Sequence, residues 1–188
     1  MPHCVEPAVG LNRLFLAFLC EALVEERIGD DDVRIVARLH PRIAPVKVAV
    51  LPVVKSNGAL VTAAHQLAQA LRRWMVVDVD VTQSIGKRYR RCDEVGTPIC
   101  LTLDDRTLAD GTVTARDRDT MKQVRVPADA VLAAAAGCGP GAAALTTFAQ
   151  LTSPSRGAAQ PPGGECGDEK IEWEPGWLSF AQVAQAAV

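Results

Sequence analysis

Val46-Lys47-Val48-Ala49-Val50-Leu51-Pro52-Val53-Val54 is the stretch on which the reading of the fold turns. It is β-branched and nearly continuous in apolar character, as a strand covered on both faces must be. Such a strand needs helices around it, and the following sequence supplies them. Residues 58–74 read as an amphipathic helix, opened by the turn pair Asn57–Gly58 and ending in Arg72, Arg73 and Trp74. Val76–Val81 alternates apolar and polar and reads as a strand. Ser84 is placed to cap a basic helix running to about Cys92, with Gly96 as its stop. Pro98–Leu103 is strand-like, residues 111–116 alternate again, Val124–Val126 continues the sheet, and Ala128–Ala136 is an alanine-rich helix. The order β-α-β-α-β-β-β-α predicts an α/β fold, a mixed β-sheet flanked by helices.

Working outward, residues 2–8 form an extended stretch bounded by Pro2 and Pro7. From Leu11 to Glu26 the apolar residues Leu11, Leu14, Phe15, Phe18, Leu19, Ala22 and Leu23 recur at helical spacing, which predicts a mostly buried helix stopping near Gly29. Residues 30–45 carry Asp30, Asp31, Asp32, Pro41 and Pro45 and read as a linker. Residues 137–164 are dominated by Gly, Ala, Pro, Ser and Thr, so the tail 137–188 reads as low-complexity and disordered, with Trp173, Trp177 and Phe180 in a short docking segment. The expected organisation is 1–29, 30–45, 46–136 and 137–188.

The 188 residues are 48% hydrophobic and 22% charged, too apolar for full disorder and too charged for a mostly membrane-embedded chain. A net charge of −2 excludes a uniformly basic coat, but the charge is unevenly placed. Residues 84–126 hold 9 Lys/Arg against 7 Asp/Glu, and residues 127–188 hold 2 against 6. The six cysteines (Cys4, Cys20, Cys92, Cys100, Cys138, Cys166) show no C-x-x-C pair, which fits reduced thiols in an intracellular protein better than a disulfide framework or a zinc site. The apolar run Leu14–Cys20 is too short to span a membrane, and Glu6 argues against a signal peptide.

Three stretches could carry chemistry. In Pro2-His3-Cys4-Val5-Glu6-Pro7-Ala8-Val9-Gly10-Leu11-Asn12-Arg13 a carboxylate on an extended segment precedes a glycine turn and an arginine on a first helical turn. Glycine admits a ligand to the backbone, and arginine can grip phosphate or stack on a base. By the residues alone, a turn glycine beside a surface arginine is the favoured reading. In Ser84-Ile85-Gly86-Lys87-Arg88-Tyr89-Arg90-Arg91-Cys92-Asp93-Glu94-Val95-Gly96-Thr97-Pro98 four cations in five positions surround the single tyrosine. Cations for phosphate beside a stacking ring suit single-stranded RNA, and a solvated helix face neutralised by Asp93 and Glu94 is the other reading. In Thr112-Val113-Thr114-Ala115-Arg116-Asp117-Arg118-Asp119-Thr120-Met121 the alternating charges either meet base edges or pair with one another. His3, His40 and His65 lack the partners for a catalytic dyad or a zinc site. These readings name no catalytic residue and no metal site.

Taken together, the stretches resemble a known family. The first resembles motif 3 of class II aminoacyl-tRNA synthetases in the form found in glycyl-tRNA synthetase, where a strand like Pro-His-Val-Ile-Glu-Pro-Ser precedes Gly-Leu-x-Arg. Ala44-Pro45-Val46-Lys47, SIGKRYRRCDEVGTP and TVTARDRDTMKQVRVP look like the anticodon-binding domain of the same enzyme, in the same order. The resemblance covers roughly residues 2–132. It implies a ligase that uses ATP, with Mg2+, to attach glycine to tRNA-Gly, working as a homodimer without a membrane, in the cytoplasm or in a mitochondrion or plastid.

Residue by residue, the resemblance implies that Glu6 holds the ammonium of glycine, with Ala8 and Gly10 beside the substrate. Gly10, Leu11, Asn12 and Arg13 would lie at ATP. Ala8 stands where the family has serine, removing a hydroxyl whose bond to a charged ligand is worth roughly 1.5–3 kcal/mol. Asn12 stands where an acidic residue is common. By basic charge and stacking, Arg88, Tyr89, Arg91, Arg116 and Arg118 are the expected anticodon contacts. Motifs 1 and 2 find no match in the chain, so the expectation is the C-terminal portion of a synthetase, supplying anticodon recognition and not activating glycine by itself. The rival expectation is a free-standing, non-catalytic nucleic-acid-binding protein of the polymerase accessory-subunit type. A remnant with no function of its own is the third.

Overall fold

The computed structural model describes residues 3–29 and 32–137. Residues 3–10 are extended and lead into α1 (Leu11–Ala22), which is followed at once by β1 (Leu23–Arg27). β1 pairs antiparallel with β2 (Val33–Ala37). The helix expected to continue to Glu26 therefore stops four residues earlier. Its last residues are captured by a partner strand, a tertiary contact that outweighs helical spacing. The linker expected over 30–45 contains β2. Four of the five residues of β2 are apolar, but Arg34 stands at an inward position and breaks the alternation that marks a half-buried strand.

The remaining elements are β3 (Val48–Pro52), α2 (Gly58–Leu71), β4 (Val77–Val79), α3 (Ile85–Val95), β5 (Ile99–Leu103), α4 (Asp105–Asp110), β6 (Thr112–Asp117), β7 (Gln123–Pro127) and α5 (Ala128–Gly137). They build a five-stranded mixed sheet in the order β4-β3-β5-β6-β7. β3 runs parallel to β4 and β5, while β6 and β7 add antiparallel turns. All five residues of β3 and of β5 are buried, as the apolar run at 46–54 predicts. α4 is the one element here that the sequence reading lacks.

Travel across the sheet reverses after β4. Parallel crossovers keep one hand, so reversal puts successive helices on opposite faces. The packing agrees. α2 covers one face, with Leu60, Leu67 and Leu71 against Val50, Leu101 and Val113, and α5 completes that side through Val131. α3 covers the other face, with Ile85, Tyr89 and Cys92 over Ala49, Leu51 and Cys100. Asn57 caps α2 by accepting from the Leu60 amide, satisfying one of its orphan donors.

Two turns fix the ends of α3 and α4. Gly96 takes the left-handed conformation, φ 85°, and its amide closes onto the Cys92 and Asp93 carbonyls. A Cβ there would meet the Ala37 carbonyl oxygen at 2.7 Å, so glycine lets α3 end against β2. The short α4 is held by reciprocal capping: Asp104 accepts from the Thr107 amide, and the Thr107 hydroxyl accepts from the Asp104 amide. Arg125 of β7 then grips the same carboxylate with both terminal nitrogens, at 2.6 and 2.7 Å.

Gly96→Ala is expected to lower unfolding stability by about 2 kcal/mol from the left-handed backbone alone, with more from the Ala37 clash, read by urea denaturation. The Arg125 and Thr107 bonds hold the Asp104 carboxyl down at about 2, below its ordinary 3.8. A depressed carboxyl contributes stability above its unfolded value and loses it as pH falls towards the folded value. Its side chain is 36% exposed, so solvent screening limits the contribution to about 1 kcal/mol. Asp104→Asn is expected to flatten the acid limb of stability between about pH 4 and pH 2, measured by urea unfolding at each pH.

Candidate nucleic-acid interface

Helical spacing sorts the basic residues of α3. Ile85, Arg88, Tyr89, Cys92 and Asp93 fall at i, i+3, i+4, i+7 and i+8, the stripe that a packed helix turns inward. Lys87, Arg90 and Arg91 fall on the opposite side and are exposed. Arg91 bonds the Thr82 hydroxyl at 3.0 Å and pairs with Asp80, and Arg90 pairs with Asp32. Among the described residues the Lys87 ammonium has no hydrogen-bonding partner.

The inward residues bond within the fold. Arg88, 1% exposed, donates to the carbonyls of Pro52, Val53 and Asp80, joining the ends of β3 and β4. Asp93, also 1% exposed, accepts from Arg116 of β6 at 3.0 and 3.1 Å and from Arg34 of β2 at 3.1 Å. Burial works against the charge on Arg116, but the Asp93 bonds outweigh it and raise its pKa. The Arg116 guanidinium lies 4.6 Å from the centroid of the Tyr89 ring. Tyr89 is half-buried, its hydroxyl shares a hydrogen bond with Thr102, and burial pushes its pKa up. Arg118, 3% exposed, donates to the carbonyls of Ala37, Leu39 and Gly96 and pairs with Asp119. Three of the five expected anticodon contacts, Arg88, Arg116 and Arg118, are thus occupied inside the fold. Tyr89 lies at its margin and Arg91 on its surface.

α3 covers β3 and β5 but leaves the same sheet face available over β6 and β7. Strand register places Thr102, Thr114 and Arg125 in one row of that face, and Cys100, Arg116 and Gln123 in the next. Thr114 is half-buried, and Gln123 and Arg125 are exposed. This strip carries hydroxyl, amide and guanidinium groups and is joined to Tyr89 through Thr102, while Lys87, Arg90 and Arg91 stand on the outer side of α3. Base edges need such donors and acceptors, and phosphates need the cations. The sequence reading missed Asp93, Asp104 and Arg125. Asp93 was legible from its place on the inward stripe of α3, and Asp104 from the D-x-x-T capping spacing. The role of Arg125 depends on register alone.

The thiols of Cys92 and Cys100 lie together near Tyr89, and the hydrogen bond that Cys100 shares with Cys92, together with burial, pushes Cys100 well up. Cys4 and Cys20 are exposed and free. Cys138 and Cys166 lie outside the described residues, as do Trp173, Trp177, Phe180 and nearly all of the 137–188 tail.

Glu6, Ala8, Gly10, Leu11, Asn12 and Arg13 are all exposed. Gly10 is extended at the N-terminal end of α1, and its carbonyl accepts from the Leu14 amide. A Cβ on Gly10 would come to 3.7 Å from the Arg13 side chain, so turn and arginine lie together. Among the described residues no side chain hydrogen-bonds Glu6 or Arg13. Instead of being buried as expected, α1 exposes an apolar surface: Leu11, Leu14, Phe15, Leu16 and Phe18 are 42–77% exposed. No cluster of three or more His, Cys, Asp or Glu among the described residues could hold a metal ion. No helix among them is long and apolar enough to cross a membrane.

Residues 47–136 match the family described as "Anticodon binding domain". Glycine–tRNA ligase from Ruminiclostridium cellulolyticum is 52% identical over 126 residues, covering 67% of this chain and 27% of that protein. The glycine–tRNA ligases of Acetivibrio thermocellus and Geobacillus kaustophilus are 48% and 50% identical, over 70% and 68% of this chain and 28% and 27% of theirs. The chain thus spans little more than a quarter of the length of these relatives. A prolyl-tRNA synthetase structure from Cryptosporidium parvum aligns over 52% of this chain and 21% of its own, with 19% identity and a TM-score of 0.48. Residues 47–136 are thus similar to an anticodon-binding domain, within a stretch that aligns with part of the glycine–tRNA ligases.

Proposed function

We propose that this chain is the tRNA-reading portion of a glycine–tRNA ligase and binds the anticodon arm of tRNA-Gly across α3 and the open strip of β6 and β7. The observation that carries this reading is the division of labour on α3. Its inward charges lock the fold and leave Lys87, Arg90 and Arg91 exposed on its outer side, while Thr114, Gln123 and Arg125 line the sheet face that α3 leaves open. Surface cations contact phosphate without regard to sequence, whereas the polar strip presents donors and acceptors to unstacked bases. Arg91 and Tyr89 act as direct contacts. Arg88, Arg116 and Arg118 act by holding the elements that present them.

The same reading assigns Glu6 to the glycine ammonium, with Ala8 and Gly10 beside it, and Gly10, Leu11, Asn12 and Arg13 to ATP. The exposed apolar surface of α1 is what a catalytic body would cover. ATP activates glycine in the whole enzyme. The Mg2+ expected with it would be held with the ATP phosphates, and no group of three or more His, Cys, Asp or Glu among the described residues could hold it alone. The whole enzyme would be a homodimer of the cytoplasm. Glu6 and Arg13 have no hydrogen-bonding side-chain partner among the described residues, so the 188-residue chain alone is expected to show no glycine-dependent ATP–pyrophosphate exchange. Exchange above background would overturn that assignment.

Binding is tested with tRNA-Gly, the same tRNA carrying a swapped anticodon, and primer-template DNA, each titrated across salt. The chain is expected to prefer tRNA-Gly. Replacing Lys87, Arg90 and Arg91 by alanine together is expected to lower affinity for every RNA, and to reduce the salt slope by about 0.7 for each lost phosphate contact. Equal affinity of the unmodified chain for the two tRNAs would sink anticodon reading. Preference for the DNA would favour a free-standing nucleic-acid-binding protein.

A further inference from the structure

We propose that Arg34 and Asp93 are positioning residues for the RNA-reading strip, so that the β1–β2 hairpin sets how sharply the domain discriminates anticodons. The proposal rests on the tRNA-reading function assigned above. A connected series of side chains runs from the hairpin to the strip. Arg38 and Arg34 both donate to Glu26 of β1. Arg34 also donates to Asp93 Oδ2 at 3.1 Å and to the Arg118 carbonyl at 3.0 Å. Asp93 Oδ2 accepts at the same time from Arg116 Nη2 at 3.1 Å, while Oδ1 accepts from Arg116 Nη1 at 3.0 Å. Arg116 lies over the Tyr89 ring, and the Tyr89 hydroxyl meets Thr102 in the row that contains Thr114 and Arg125.

Three features make this more than a staple between two parts of the fold. Arg34 and Arg116 share one carboxylate oxygen, so displacing either changes where the other finds its best hydrogen bond. The inner groups are almost fully buried, with Arg34 2% and Asp93 1% exposed, where water cannot substitute for a lost partner. Every charge in the series faces an opposite one, Glu26 against Arg34 and Arg38, and Asp93 against Arg34 and Arg116, and an arginine cannot discharge by losing a proton. A buried polar network of this kind favours discrete arrangements over gradual deformation. Arg116 and Tyr89 hand that arrangement to the surface, since the ring borders the strip.

The test uses the full chain and two variants. Arg34→Met keeps a long side chain in the buried position but removes both donors to the network. Glu26→Gln acts at the half-exposed outer end and keeps the hydrogen-bonding shape. The readouts are the Arg116 Nε–H NMR signal and the affinity ratio between an anticodon stem-loop of tRNA-Gly and the same stem-loop with a swapped anticodon. The Arg34→Met protein is expected to shift the Arg116 signal and to lower the ratio about fivefold or more. Glu26→Gln is expected to act in the same direction and less strongly, and it decides the matter if Arg34→Met does not fold. An unmoved Arg116 signal in a folded variant overturns the proposal. So does an unchanged ratio where the unmodified chain discriminates. A shifted signal in a chain that never discriminated would uphold the positioning of Arg116 by Arg34 and count against the tRNA reading alone.

Discussion

The carboxylate of Asp93 is where the separate parts of this fold meet. It lies on the inward face of α3, accepts two hydrogen bonds from β6 and one from β2, and is almost completely buried. A charged group in that position is tolerated only with its hydrogen-bonding capacity filled, because desolvation otherwise costs several kcal/mol per ion. Arg34, Arg116 and the hairpin geometry that delivers Arg34 are therefore joint requirements. Gly96, which lets α3 end against the Ala37 carbonyl, belongs to the same junction, and Arg118 closes it by donating to three backbone carbonyls.

This arrangement divides the basic residues by task. The stretch from Lys87 to Arg91 looks in one dimension like a uniform cationic patch. In three dimensions the helical repeat turns Arg88 towards carbonyls at the ends of β3 and β4, and turns Lys87, Arg90 and Arg91 outward. The same holds on β6 and just beyond it, where Arg116 and Arg118 are internal. What remains for a partner is smaller than composition suggests but better defined: three cations, one half-buried ring and a short polar strip. Rigid support behind few contacts suits discrimination, since side chains already held in place lose less entropy on binding.

The sheet was readable from the sequence because its central strands are covered on both faces and so show continuous apolar runs, as in 46–54 and 98–103. α2 was readable from its stripe and the Asn57 cap, and α3 from its stripe, the Ser84 position and the Gly96 stop. The hairpin was not, because β2 points an arginine inward, and no local rule expects a buried cation without knowing its partner 59 residues away. α4 escaped for a different reason: at six residues it has no room for a periodic pattern, and only its capping spacing marks it.

By itself the sequence determined the α/β order, the family resemblance, and which segments carry cations, a lone ring and a glycine turn. Those are properties of spacing and side-chain chemistry, which the chain carries before it folds. Tertiary structure alone decided which arginines face solvent and which face Asp93 or a carbonyl. Burial and strand register bring together groups as far apart as Arg34, Asp93 and Arg116, and local periodicity contains no information about such partners. It likewise decided that the apolar face of α1 stands exposed, since a helix pattern states that one face is apolar and leaves open what lies against it.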